Sequence, residues 1–238
     1  MKNNININPM GWPSSPLWYE IKLDNECVDY LKNIVNDAEE KAAKEDVRKT
    51  KSNLVGNISK SFSILEEENK SKYFSKKYLD LCIKRWQNDH GGHHPFPTSI
   101  QENLLRSGKL NKAVISAFWA NYQYKYEFNP PHNHSGIYSF VIWLKIPYDH
   151  TKEILDNRFS GTKIHDRKAG SFEFYNSNFN EEGKNQQFHK YELNPEYEGT
   201  MLFFPATLTH QVFPFYSSDE KRISLSGNVS FDIFLDDE

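Results

Sequence analysis

The sequence predicts an α+β protein, mainly β, in which supporting helices precede a barrel or sandwich of short strands. Two observations carry this. Apolar residues recur every three or four positions through the first half, and after Asn111 the period shortens to two. The later strand-like runs have no helical pattern between them, so strands must bury their faces on other strands. A length of 238 residues suits one core with an appendage. The expected division is a mostly helical support region over 1–112 and a β-core over 113–238, within one compact unit.

The first helix is expected from Leu23 to Asp46. Cys27, Leu31, Ile34, Val35, Ala38 and Ala42 form its apolar stripe, and Asp24 is placed to cap its first turn. The charged, alanine-rich end of this segment reads as a solvated face without function. A second helix is expected over Glu66 to Asn88, with Phe74, Tyr78, Leu81, Cys82 and Trp86 on one side. A third begins at Ser99, spaced from Glu102 as in a capping box, and stops at Gly108. Strands then take over. Tyr122, Tyr124, Tyr126 and Phe128 alternate with Asn121, Gln123, Lys125 and Glu127, and further strands are expected at 139–146, 171–175, 199–204, 211–215 and 222–234.

Composition excludes some functions. The chain is 37% hydrophobic and 15% aromatic, too much apolar surface for a disordered chain to leave in water. With 29 basic against 32 acidic residues, the net charge of -3 gives no general attraction to phosphates, so nucleic acid is the least favoured partner. No apolar run approaches the roughly 20 residues that span a bilayer, and the N-terminal segment lacks an apolar signal core. A cytoplasmic protein without a membrane partner is expected. Cys27 and Cys82 both fall on helical apolar stripes, as small buried hydrophobes would, although a disulfide between them stays open.

The chemistry concentrates in the second half. In PPHNHSG, His132 and His134 lie two residues apart, and in an extended backbone such residues project to the same side, where they can share one ion. Neutral imidazole suits Fe(II), and one further ligand would complete a face of an octahedron. His210, in FFPATLTHQVFPF, is the natural third. Taken alone it would more readily be a satisfied structural residue. The next strand reverses that reading: in KRISLSGNVSF, Arg222 and Ser224 point to one face. A guanidinium aimed into an apolar core is costly unless it meets an anion, and its planar fork matches a carboxylate.

These pieces in this order resemble the iron(II)- and 2-oxoglutarate-dependent oxygenases, particularly the branch allied to prolyl hydroxylases. The resemblance rests on PPHNHSG at 130–136 with the strand SFVIWLKIP, GSFEF at 170–174, GTMLFFPATLTH at 199–210 and RISLSGN at 222–228. It covers roughly residues 115 to 235, with a softer likeness in NLVGNISKSF at 53–62. It implies a double-stranded β-helix (a jelly roll, as in cupins) behind the supporting helices. It also implies Fe(II), 2-oxoglutarate as co-substrate, and O2. Carried over residue by residue, His132, His134 and His210 would be the metal and catalytic residues. Arg222, Ser224 and, as a further hydroxyl, Tyr124 would bind the co-substrate. The implied reaction is hydroxylation of a substrate coupled to decarboxylation of 2-oxoglutarate to succinate. The substrate is expected to be a small molecule or a peptidyl group.

His134 departs from the usual pattern of two histidines and a carboxylate. Three neutral ligands leave a divalent ion its full charge. Glu173, on another strand, is the alternative source of an acid, with His134 then behind the metal ligands. Two rival functions stand beside the oxygenase: a three-histidine cupin-like metalloprotein that does not use 2-oxoglutarate, and a non-catalytic β-sandwich binding module. Asp89, His90, His93 and His94 would suit zinc by density, but their Gly-Gly and Pro punctuation reads as a loop of solvated histidines. His150, His165 and His189 are expected at the surface. The polar stretch from His150 to Gly170 is expected as a mobile loop over the barrel mouth.

Overall fold

The computed structural model describes residues 5–11, 17–44, 56–95, 110–176 and 187–233. The chain is mostly β with a few helices. The strands are β1 (Ile7–Met10), β2 (Trp18–Lys22), β3 (Lys60–Ser63), β4 (Leu110–Gln123), β5 (Asn129–His132), β6 (Tyr138–Lys145), β7 (Ser171–Asn176), β8 (Gln187–Glu192), β9 (Thr200–Pro205), β10 (Thr209–Val212) and β11 (Arg222–Ile233). They form two antiparallel sheets. The large one runs β1-β2-β9-β6-β11-β4-β3 and the small one β5-β10-β7-β8.

The large sheet is covered on both sides, which is why β6 is buried along nearly its whole length instead of alternating. One face packs on the helices: Phe118, Ala120, Tyr122, Tyr138, Phe140, Ile142 and Leu225 join Leu31, Val35, Phe74, Tyr78 and Trp86. The opposite face packs on the small sheet, where Val141, Trp143, Leu202 and Phe204 meet Phe172, Phe174 and Tyr191. Gly227 sits on the helix-facing side of β11 because nothing larger fits: a Cβ there would lie 2.3 Å from the Phe140 ring.

The helices follow the apolar stripes with one interruption and one exception, Leu81, which is exposed while Phe74, Tyr78, Cys82 and Trp86 are buried. Helix α1 (Asn25–Lys44) is capped by Asp24, whose Oδ1 accepts from the Cys27 amide at 2.9 Å. The second expected helix is broken. Its first part, α2 (Leu65–Ser71), ends at Lys72 with φ of 53°, and a π-turn over Ser75–Leu79 leads into α3 (Asp80–Asp89). The buried carboxylate of Glu68 holds the break by accepting from the Ser75 amide and hydroxyl and from Tyr30. Cys27 and Cys82 are buried and free, and no disulfide joins them. The helix expected at 99–108 lies outside the described residues. Among the described residues, no helix is long and apolar enough to cross a membrane.

The support region is less purely helical than its periodicity suggests, since β1, β2 and β3 extend the large sheet on both edges. The aromatic alternation is also shorter than expected. Strand β4 ends at Gln123, and Tyr126 adopts a φ of 72° in a turn, with its amide bonded to the Phe215 carbonyl. Only Tyr122 of the four aromatics is buried.

Candidate active site

The two sheets enclose a cavity of about 600 Å³. Two of its histidines come from the small sheet and the third from the loop after β5. His132 ends β5 and His210 lies on β10, and these two are directly paired across the strands, so both side chains project the same way. His134 follows β5, where its amide bonds the Ala206 carbonyl at 2.8 Å. One ring nitrogen from each of the three falls within 4.8 Å of the others. The ring centroids of His132 and His210 are 4.3 Å apart, and each is 5.0 Å from that of His134.

The tautomers follow from the backbone. His132 Nδ1 meets the Pro130 carbonyl at 2.7 Å and His210 Nδ1 meets the Leu208 carbonyl at 3.0 Å. A carbonyl only accepts, so each Nδ1 carries the proton and each Nε2 keeps its lone pair for the shared space. Burial disfavours the charged imidazolium and pulls all three pKa values down, His134 to about 4 and His210 well below the usual range. The group is therefore neutral and electron-donating near pH 7.

Glu173 is not part of it. In β7 the residue paired with His210 is Phe174, so Glu173 faces the other side of the sheet, where it is bound by Lys168 at 2.7 Å and by Gln211 at 2.9 Å. Among the described residues no carboxylate joins the three histidines.

Arg222, Ser224, Ser226 and Asn228 line the same cavity from successive inward positions of β11, opposite Gln123, Asn121, Trp119 and Ala117 of β4. Arg222 is 2% exposed, yet no ion pair balances it among the described residues. Its Nη1 donates to Tyr148 Oη at 2.7 Å, its Nη2 donates to Gln123 Oε1, and its Nε has no partner. Gln123 is fixed in that orientation because its Nε2 donates to the Glu127 carbonyl at 2.6 Å. Tyr148 is held by stacking on Phe215, with ring centroids 4.6 Å apart, and burial pushes its phenol up, keeping it protonated. A buried cation held by two neutral groups can accept an anion as its counter-charge.

Tyr124 is not brought to the cavity. It is 40% exposed, beyond the end of β4. The hydroxyl beside Arg222 belongs instead to Tyr148, in the stretch after β6, which no periodicity in the sequence marks. Gln123 did carry a signal, as a polar residue on the inward register of an aromatic strand.

The other histidines correct the surface reading. His150 is buried, its Nδ1 bonded to the Ala169 carbonyl at 2.7 Å. His189 packs edge-on against Trp18 and Tyr191. His94 is partly buried, with Nδ1 2.7 Å from Tyr138 Oη and Nε2 2.9 Å from Gln87, and His90 stacks on Trp86. His165 is exposed as expected. The stretch 150–170 contains helix α4 (His150–Glu153), whose buried Glu153 accepts from the amides of Tyr216 and Ser217. That anchors the loop base, while the residues from 155 to 165 stay largely exposed.

Residues 117–228 match the family described as "Putative 2OG-Fe(II) oxygenase". That segment is similar to the 2OG-Fe(II) oxygenases. The matched segment holds the cavity residues from Trp119 to Asn228. No curated protein matches the sequence. Solved structures that resemble the chain include a Pseudomonas putida prolyl-4-hydroxylase (12% identity, TM-score 0.47, covering 90% of this chain and 91% of that one). Another is a Trichoplax adhaerens prolyl hydroxylase in complex with a hypoxia inducible factor oxygen degradation domain peptide fragment (10%, 0.48, 90% and 82%). A third is the viral collagen prolyl hydroxylase of Paramecium Bursaria Chlorella virus-1 (11%, 0.46, 92% and 98%).

Proposed function

We propose that the chain is an Fe(II)- and 2-oxoglutarate-dependent oxygenase that hydroxylates its substrate with O2 while 2-oxoglutarate is decarboxylated to succinate. The observation that carries this reading is the buried, uncompensated Arg222 in the same cavity as three convergent neutral histidines. A dicarboxylate with a keto-acid end fits that pair of features, one end for the guanidinium and the other for a metal.

In this reading His132, His134 and His210 hold the iron through ring nitrogens, and the Pro130 and Leu208 carbonyls orient two of those rings from behind. Iron held there would supply the redox chemistry that activates dioxygen. Arg222 grips the distal carboxylate. Tyr148 accepts from Arg222 through its oxygen and so has its own proton free to donate to the same carboxylate, and Ser224 adds a hydroxyl from the neighbouring inward position. Strand order supports a double-stranded β-helix: β4 to β11 supply four strands to each sheet, and chain neighbours such as β5 and β6 fall in opposite sheets. Residues 113–238 would then be the catalytic core and 1–112 its support.

A three-histidine enzyme without 2-oxoglutarate is the second reading, favoured by the missing carboxylate ligand. There Arg222 would take a substrate carboxylate. Calorimetric titration separates the two. The oxygenase reading expects His210→Ala to lose Fe(II) binding, and Arg222→Ala to keep Fe(II) while losing 2-oxoglutarate. Loss of metal from the arginine variant would overturn these roles.

A further inference from the structure

The cavity is larger than its proposed co-substrate requires. Some 600 Å³ falls in the range that encloses a drug-sized ligand, whereas 2-oxoglutarate is a five-carbon acid. Charge is also unevenly spread along it. Arg222 is the one lining residue with a fixed charge among the described residues. The half away from it is walled by Ser61 and Ser63 of β3, Ser116 and Trp119 of β4, and Ser226 and Asn228 of β11. Trp119 stands between this half and the histidines, its ring edge-to-face with His134 at 5.7 Å.

Asn228 is fixed for a purpose the fold does not use. Its Oδ1 accepts from Ser139 Oγ at 2.9 Å, which aims the amide nitrogen away from Ser139. That nitrogen meets no acceptor among the described residues, and it is not sealed off as the Trp119 indole nitrogen is. It therefore opens on the cavity as a pair of donors beside the Ser226 position.

We propose that the half of the cavity lined by Trp119, Ser226 and Asn228 selects an uncharged substrate that carries hydrogen-bonding oxygens. This rests on the oxygenase reading for the other half. Asn228 donates to a hydroxyl or carbonyl oxygen, the Ser226 hydroxyl follows one inward position along, and Trp119 supplies an apolar wall next to the histidines. A charged group has no counterion in this half and would lose its hydration uncompensated.

The test uses the full chain loaded with Zn(II), which is diamagnetic, and saturated with 2-oxoglutarate. The ¹⁵N signals of the Trp119 indole and the Asn228 side-chain amide are followed, assigned through Trp119→Phe and Asn228→Asp. Methyl glucoside and N-acetylalaninamide represent the hydroxyl and amide sources of neutral oxygen, with glucose 6-phosphate and glucosamine as charged counterparts. At least one neutral probe should shift both signals with about tenfold tighter binding than either charged one, a gap of about 1.4 kcal/mol. Which neutral probe does so tells the two sources apart. Asn228→Asp should turn the preference toward glucosamine. Equal or stronger shifts from the charged probes, or no shift from any, would overturn the inference. Failure of Zn(II) and 2-oxoglutarate to bind would sink the oxygenase reading instead. The titration is repeated on metal-free protein, where the same preference is expected and its absence counts equally against the inference.

Discussion

The two faces of the β4–β11 pair differ as sharply as a protein core differs from a binding site. On the helix side, Phe118, Ala120, Tyr122, Leu225 and Val229 are packed against apolar neighbours. On the cavity side, the same strands alternate to Trp119, Asn121, Gln123, Arg222, Ser224, Ser226 and Asn228. The sheet has a partner on both sides, so burial alone would make both faces apolar. The polar face is therefore kept despite its cost to folding, and the unpartnered nitrogen of Arg222 and oxygen of Asn121 show that the cost is incompletely offset inside the protein. Packing fills one face, and the proposed binding site occupies the other.

Substitutions on the two faces should have opposite effects on stability and binding. Phe118→Ala should cost about 3–5 kcal/mol of folding free energy, read by urea denaturation, because it empties the packed face. Metal affinity measured well below the melting range should not change. Gly227→Ala, on that same face, drives a methyl into the Phe140 ring and should cost about 1–3 kcal/mol. Arg222→Met should do the reverse. It removes an unbalanced buried charge and should leave stability unchanged or higher, while 2-oxoglutarate affinity collapses. A smaller effect is expected for Tyr148→Phe, about 1 kcal/mol or some fivefold in 2-oxoglutarate affinity, with Fe(II) binding untouched.

The smallest effect is a pH dependence. Burial lowers His94 from 6.5 to about 4, and a depressed histidine means that the unfolded chain takes up protons first as pH falls. The contribution of His94 to stability should be flat above pH 6.5 and decline between 6.5 and about 4. In His94→Phe, denaturation midpoints across that window should decline less steeply. An unchanged slope would mean that His94 does not contribute.

Much of this site is legible in the sequence because its features are local. The two-residue spacing of His132 and His134 and the Arg222–Ser224 alternation depend only on strand geometry, and the structure brings all four and His210 to one cavity. Tyr148 was illegible because its approach to Arg222 joins positions far apart in the chain, through a stretch without periodicity. Tyr124 misled for a related reason. The aromatic alternation continues past Gln123, but the backbone turns at Tyr126 and the register ends before the pattern does. Among the later strands, β8 carried no clear pattern of its own, since Phe188 on it is exposed while Tyr191 is buried. The broken helix near Lys72 depends on the buried Glu68, whose partner Tyr30 comes from another helix.

The central claim is that three histidines and one arginine serve a single chelated co-substrate. Anaerobic titration of the protein with Fe(II), followed by 2-oxoglutarate, tests it through the weak visible charge-transfer absorption of the chelate. The expected band needs both additions, is lost in His210→Ala, and is restored in Arg222→Met only at far higher 2-oxoglutarate. Fe(II) binding with no band at any 2-oxoglutarate concentration would contradict it.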